Sequence, residues 1–236
     1  MTRITYLAIC LFVCCSFTSA QQPLPRYVSV KLETDMSKTN PRERKMLSLL
    51  IEAGQEMDKV FWKQAFGDKA KLLSDITNDK LKKHVMINYG PWERLQDNRS
   101  FIESFKVKPL GANFYPADIT TEEFENHLKK KPADAAAFKS LYTVIRRNDN
   151  GDLTAVPYNE QYRQEFEAAA AKLKQAATLA QDSGFKKYLN ARADALLSNE
   201  YQPSDMLWMD MKNNKFDVVI GPVENYEDKL NGYKAV

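Results

Sequence analysis

The stretch NEQYRQEFEAAAAKLKQAATLAQDSGFKKYLNARADALLSN, residues 159–199, decides the fold class. Tyr162, Phe166, Ala169, Leu173, Ala176, Ala177 and Ala180 recur at three- and four-residue intervals. That spacing predicts a helix over 159–181 with one apolar stripe. The small residues in the stripe allow a neighbouring helix to pack closely. Asp182-Ser183-Gly184 breaks the pattern and FKKYLNARADALLSN resumes it, so the two segments read as an antiparallel helical pair.

Working outward, SLYTVIRR and DLTAVPY are rich in strand formers and flank NDNG, which predicts a β-hairpin turning at Asn148 to Gly151. Upstream, Thr120 with Glu123 fits a capping box at the start of another helix, and PADAAAF adds a short helical turn. Asn40-Pro41 opens a long helix, with Asn40 as N-cap and Pro41 in the first helical position. Met46, Leu49, Leu50, Ala53, Met57, Val60 and Phe61 form its stripe, and Gly67 is its stop. Asp75 to Met86 predicts a shorter helix, followed by two loop-rich stretches, INYGPWERLQDNRSF and KPLGANFYPAD. Downstream of the central pair, Ser204-Asp205 caps a short helix, MLWMDM, and FDVVIGP reads as an apolar strand. The fold class is therefore α+β, mostly helical, with a hairpin and a C-terminal strand. Residues 21–40 form an extended lead, and 41–236 form the folded body.

Residues 1–20 stand apart. Arg3, the uncharged run from Ile4 to Phe17 and the small Thr18-Ser19-Ala20 follow the order of a secretory signal peptide. This predicts export to the periplasm or the outside. All three cysteines, Cys10, Cys14 and Cys15, fall in that segment, so a processed chain has no thiol for a disulfide, a nucleophile or a zinc site. A lipid-anchored Cys14 or Cys15 is the rival reading, opposed by the bulky Phe12 and Val13 before them. The apolar run is too short to span a bilayer.

The formal net charge of +3 over 236 residues has no sustained basic stripe, so nucleic acid is not an expected partner. The two histidines, His84 and His127, do not form a His-Glu-x-x-His motif. Glu123 and His127 share a helix face at i, i+4, where an exposed ion pair is the plainer reading than a metal site lacking its third ligand. RRNDNGDLT fails the calcium-loop test, because Gly151 as the invariant glycine would place Arg146 and Pro157 at ligand positions. No Gly-x-Ser-x-Gly, P-loop or Gly-x-Gly-x-x-Gly occurs. These residues name no catalytic group and no metal ligand. In the tail, Glu224, Tyr226 and Asp228 alternate, so in an extended chain they would share one face. A carboxylate beside a phenol can hold the ammonium group of a peptide N-terminus, which makes the three candidate substrate-binding residues.

The tail DVVIGPVENYEDKLNGYKA resembles a segment of the dipeptidyl peptidase III family of zinc metallopeptidases, in which an Ile-Gly-x-x-Glu-x-Tyr-x-Asp stretch precedes the catalytic region. VFWKQAFGDKAKLL, INYGPWERLQDNRSFI, PLGANFYPADITTEEFE, SLYTVIRRNDNGDLTAVPYNEQY and ARADALLSNEYQPSDMLWMDMKNNKFDVVIGP, in that order, resemble its bacterial branch. The resemblance implies a two-lobed enzyme with a wide cleft that removes dipeptides from peptide N-termini. It implies a small β-barrel to which the C-terminal strand would belong. It also implies that zinc is held by residues downstream of the matched tail, in a catalytic region missing from this chain. On this reading the chain is an N-terminal, substrate-lobe portion, inactive alone. The alternative is a stand-alone, non-enzymatic helical envelope protein that binds peptides or has a structural role.

Overall fold

A computed structural model describes residue 24 and residues 27–236 of the protein. The signal peptide expected over 1–20 and the three cysteines in that segment lie outside the described residues. The described part of the lead over 21–40, residue 24 and residues 27–40, carries neither helix nor strand.

Helix α1, Pro41–Ala65, begins as the sequence predicts. The Asn40 side chain accepts from the Glu43 amide, and the Glu43 carboxylate accepts from the Asn40 amide, so the two satisfy each other's free backbone donors. Gly67 follows its end at φ +124°, a conformation that favours glycine. The helix expected over 75–86 forms later, over 79–88, and a short helix that was not expected precedes it. In chain order the two are α2, Lys69–Ser74, and α3, Asp79–Asn88, each started by its own cap, Asp68 and Asn78. The first loop-rich stretch folds into a small hairpin of β1, Trp92–Glu93, and β2, Arg99–Ser100. Helix α4, Thr121–Lys130, has only half of the expected capping box. Thr120 Oγ1 accepts from the Glu123 amide at 3.0 Å, but the Glu123 carboxylate is taken by Arg147 at 2.8 Å. A short helix α5, Ala135–Lys139, leads into the predicted hairpin, β3, Thr143–Arg147, paired with β4, Leu153–Pro157.

The decisive central segment forms α6, Tyr158–Gln161, and α7, Arg163–Leu179. They are separated only at Tyr162, whose amide still bonds Tyr158 and whose carbonyl still receives Phe166. Helix α8, Ser183–Ser198, returns alongside, capped by Asp182. Helix α9, Gln202–Asp210, begins earlier than predicted, with Pro203 in its first turn. Ser204 is buried inside it and bonds back to the Tyr201 carbonyl.

Helix α7 packs between α1 and α8, and α9 closes against α8. The main core runs through Ala53, Phe166, Ala169, Leu173, Ala176, Tyr188 and Leu189 and extends beneath the β3–β4 hairpin. A second, smaller core joins Trp62, Leu72, Ile76 and Val85 under α2 and α3. The C-terminal strand is not formed: residues 216–220 have no strand partner among the described residues. The backbone around Val218 is held by a side chain instead, with Tyr188 Oη donating to its carbonyl at 2.8 Å. The described strands form two separate antiparallel pairs and no closed barrel. No described helix is long and apolar enough to cross a membrane.

Candidate functional site

The tail is a loop, not a strand. Gly221, at φ +109°, passes so close to α8 that a Cβ there would sit 3.4 Å from the Tyr201 ring and 3.6 Å from the Arg192 guanidinium. The chain then turns and closes on itself, with the Val223 amide donating to the Val236 carbonyl at 2.7 Å and the Val236 amide to the Glu224 carbonyl at 2.6 Å.

Asp228 organises this loop from inside. Its Oδ2 accepts from Tyr115 Oη at 2.7 Å and from the amides of Tyr233 and Lys234 at 2.9 and 3.0 Å. Its Oδ1 accepts from the amides of Leu230 and Asn231 at 3.2 and 3.0 Å. A buried carboxylate so supplied needs no further partner. Lys234 is fully buried and donates to the carbonyls of Phe138 and Ser140 and to Thr143 Oγ1, at 2.6, 2.9 and 2.9 Å. Burial pulls its ammonium down to about 8, against a smaller upward pull from Asp228. Burial raises the Tyr115 phenol above its ordinary range, and Asp228 pushes the same way.

The neighbouring Glu227 is buried between two cations, Arg94 and Lys108, the latter at 2.5 Å. Burial alone would raise its carboxyl. Lys108 and Arg94 outweigh that and hold it below the usual carboxylate range. The Arg94 guanidinium also lies over the Phe61 ring at 5.1 Å and the Tyr89 ring at 5.8 Å. Tyr89 Oη donates to Asp58 at 2.6 Å, and its phenol is pushed up to about 12 by burial and by that carboxylate.

Glu224 and Tyr226 point outward. Tyr226 is 52% exposed and stands between two recesses. One, of about 480 Å³, is lined by Met57, Asp58, Phe61, Tyr89 and Pro222. The other, of about 620 Å³, is lined by Glu224, Asn225, Leu141 and Tyr233. The expected common face of Glu224, Tyr226 and Asp228 is therefore not realised. The chain turns at Tyr226-Glu227, which keeps the first two at the surface and sends Asp228 into the core, where Tyr115 and four amides occupy it.

No family model matches the sequence. Nudix hydrolase 3 of Arabidopsis thaliana is 33% identical to it over 92% of this chain and 35% of that protein. The structure superposes on that of DPP III, dipeptidyl peptidase III, from Caldithrix abyssi with a TM-score of 0.82 and 43% identity, over 86% of this chain and 39% of that one. It superposes on dipeptidyl-peptidase III from Corallococcus sp. strain EGB with a TM-score of 0.80 and 34% identity, over 89% of this chain and 40% of that one. The chain is similar in sequence and structure to one part of these dipeptidyl peptidase III chains. It spans about two-fifths of these solved chains and about a third of the plant protein.

Dipeptidyl peptidase III enzymes use zinc, and the described residues of this dipeptidyl peptidase III-like chain do not fit that ion. Among the described residues no group of three or more His, Cys, Asp or Glu could hold a metal. His84 Nε2 faces Glu93 at 2.8 Å in the smaller core. His127 Nε2 faces Asp134 at 2.8 Å, its ring stacked on Phe138 at 4.4 Å. The Glu123–His127 pair expected on one helix face is replaced by these separate partnerships, because Arg147 and Asp134 each offer a closer charge. Arg94, Lys108, Glu227 and Lys234 escape sequence reading, since each acts across 90 or more residues and lies in or against a loop without periodicity.

Proposed function

We propose that this chain is the N-terminal, substrate-holding portion of an exported dipeptidyl peptidase III-like zinc metallopeptidase that removes dipeptides from peptide N-termini. The superposition on two dipeptidyl peptidase III chains, with up to 43% identity, is the observation that carries the reading. The zinc, and the polarised carbonyl and activated water it supplies when bound, belong to the part of the enzyme outside this chain. What this portion contributes is a place for the peptide. Glu224 and Tyr226 present a carboxylate and a phenol at one recess, and both oxygens accept from an ammonium group. Asp228 supports that loop from within and does not touch the peptide. Arg94 and Lys108 hold Glu227 and thereby fix the turn that aims Tyr226 outward.

The test is direct. The purified 236-residue chain, with zinc supplied, should leave a dipeptidyl arylamide uncleaved while binding a dipeptide amide weakly. Binding should require a free peptide amine and be lost on N-acetylation of the ligand. Chelator-sensitive cleavage by the chain alone, or equal binding of the acetylated ligand, would overturn the proposal.

A further inference from the structure

The lead from Tyr27 to Glu33, YVSVKLE, places Val28, Val30 and Leu32 at every second position, and these side chains are 84%, 73% and 92% exposed. The intervening Lys31 and Glu33 pair with each other in solvent on the opposite face. Among the described residues, none of 28–35 makes a backbone–backbone hydrogen bond; the first such bond is from the Thr39 amide to the Met36 carbonyl at 3.0 Å. The segment is nevertheless fastened at both ends. Tyr27 Oη donates to Glu93, with its ring 5.3 Å from the His84 ring. At the other end Arg44 donates to the Met36 carbonyl at 3.0 Å and Lys215 to the Lys38 carbonyl at 2.7 Å. Between these ties lies an extended span with alternating apolar side chains, free main-chain groups and both faces in water. Such a span is a strand without a sheet.

Lys215, which holds the far end, immediately precedes residues 216–220, a second largely apolar segment without a strand partner. Two segments without strand partners thus lie near one tie point. The solved dipeptidyl peptidase III chains superpose on nearly all of this chain, yet this chain covers only 39% and 40% of them. Most of such a protein is therefore chain that has to pack against this portion. We propose that the Tyr27–Glu33 segment is a docking strand. Its partner is a β-strand from the part of the peptidase that this chain does not span, presenting alternate apolar side chains beside Val28, Val30 and Leu32. The inference rests on the reading that this chain is one portion of a longer peptidase. Strand addition supplies affinity through the main chain and selects its partner through alternate side chains.

The test compares the 236-residue chain with a full-length chimera in which it replaces the matched 39% of the Caldithrix abyssi enzyme. Hydrogen exchange at amides 28–33 should be fast in the chain alone and at least ~100-fold slower in the chimera. Val30→Asp should leave the melting of the chain unchanged, because that side chain already faces water, while abolishing most of the protection in the chimera. A folded, active chimera whose amides 28–33 exchange freely overturns the docking strand and leaves the peptidase reading intact. A chimera that neither folds nor cleaves, beside a normal parent, overturns both. Protection of 28–33 in a dimer of the chain alone would make a second copy the occupant and overturn the proposal as stated.

Discussion

Helix α7 meets α1 and α8 through Ala53, Phe166, Ala169, Leu173, Ala176 and Leu189, none of which carries a polar side chain. The loop over 221–236 has neither helix nor strand, yet it keeps Glu227, Asp228 and Lys234 out of water. The first region is stabilised by apolar area and close packing, in which changes that conserve volume are tolerated best. The second is stabilised by a few hydrogen bonds whose loss leaves buried charges and amides unpaired. A helical layer built this way is a scaffold, and a loop built this way is a fixed shape. That shape is what a rigid presentation of Glu224 and Tyr226 requires.

The sharpest break of this comparison is Asp228→Ala. Five donors converge on that carboxylate, four of them main-chain amides, so the substitution orphans all of them and leaves Lys234 without a nearby negative charge. Removing one member of a buried charged network costs about 3–5 kcal/mol. Urea unfolding should show a loss of that size, and a loss below about 1 kcal/mol would mean that the loop is held by something else.

Next in size is a dependence on alkaline pH. Lys234 has an ammonium at about 8 in the folded chain against 10.5 when solvated. Between those values the unfolded chain binds a proton that the folded chain has released, so stability rises with pH across that window. The slope reaches at most about 1.4 kcal/mol per pH unit. Lys108, whose ammonium burial also lowers, acts in the same direction. Tyr115 and Tyr158, whose phenols burial raises, oppose it only above pH 10. The urea midpoint should therefore climb from pH 8 to pH 9.5, and Lys234→Met should flatten most of the climb. An unchanged slope in that variant would assign the dependence elsewhere.

The helical layer should respond less. Ala176 is fully buried at the heart of the main core. Ala176→Leu forces extra volume into a close-packed contact and should cost about 1–3 kcal/mol, read from the same unfolding curves. A neutral result would mean that the stripe leaves room that its small side chains do not need.

The same contrast explains what could be read from sequence. The stripe from Tyr162 to Ala180, the Asn40 cap and the Asn148–Gly151 turn were legible because their signals are local: periodicity, a capping side chain, a turn residue. The separate α2 and the later start of α3 follow equally local caps, Asp68 and Asn78, which a broad reading of the pattern passes over. The tail was legible only in composition. Its alternating Glu224, Tyr226 and Asp228 suggested a shared face because extended geometry was assumed. The bond from Tyr115 to Asp228, 113 residues away, contradicts that assumption, and no neighbouring residue announces it.

The smallest effect on stability should come from the two residues of the loop that face outward. Glu224 and Tyr226 lie at the surface, and neither Glu224→Gln nor Tyr226→Phe removes a buried partner. Each should change unfolding free energy by no more than about 0.5 kcal/mol. Binding should separate them from Asp228. A hydrogen bond to an ammonium group contributes about 1.5–3 kcal/mol, so either substitution should weaken a dipeptide amide by roughly tenfold or more. Tyr226→Phe removes the phenol oxygen but keeps the ring between its recesses, and Glu224→Gln keeps the shape but removes the charge. NMR titration of the chain with the dipeptide amide reads both. Loss of stability without loss of affinity in these variants would place them with Asp228 and erase the division of the loop into an outward pair and an inward support.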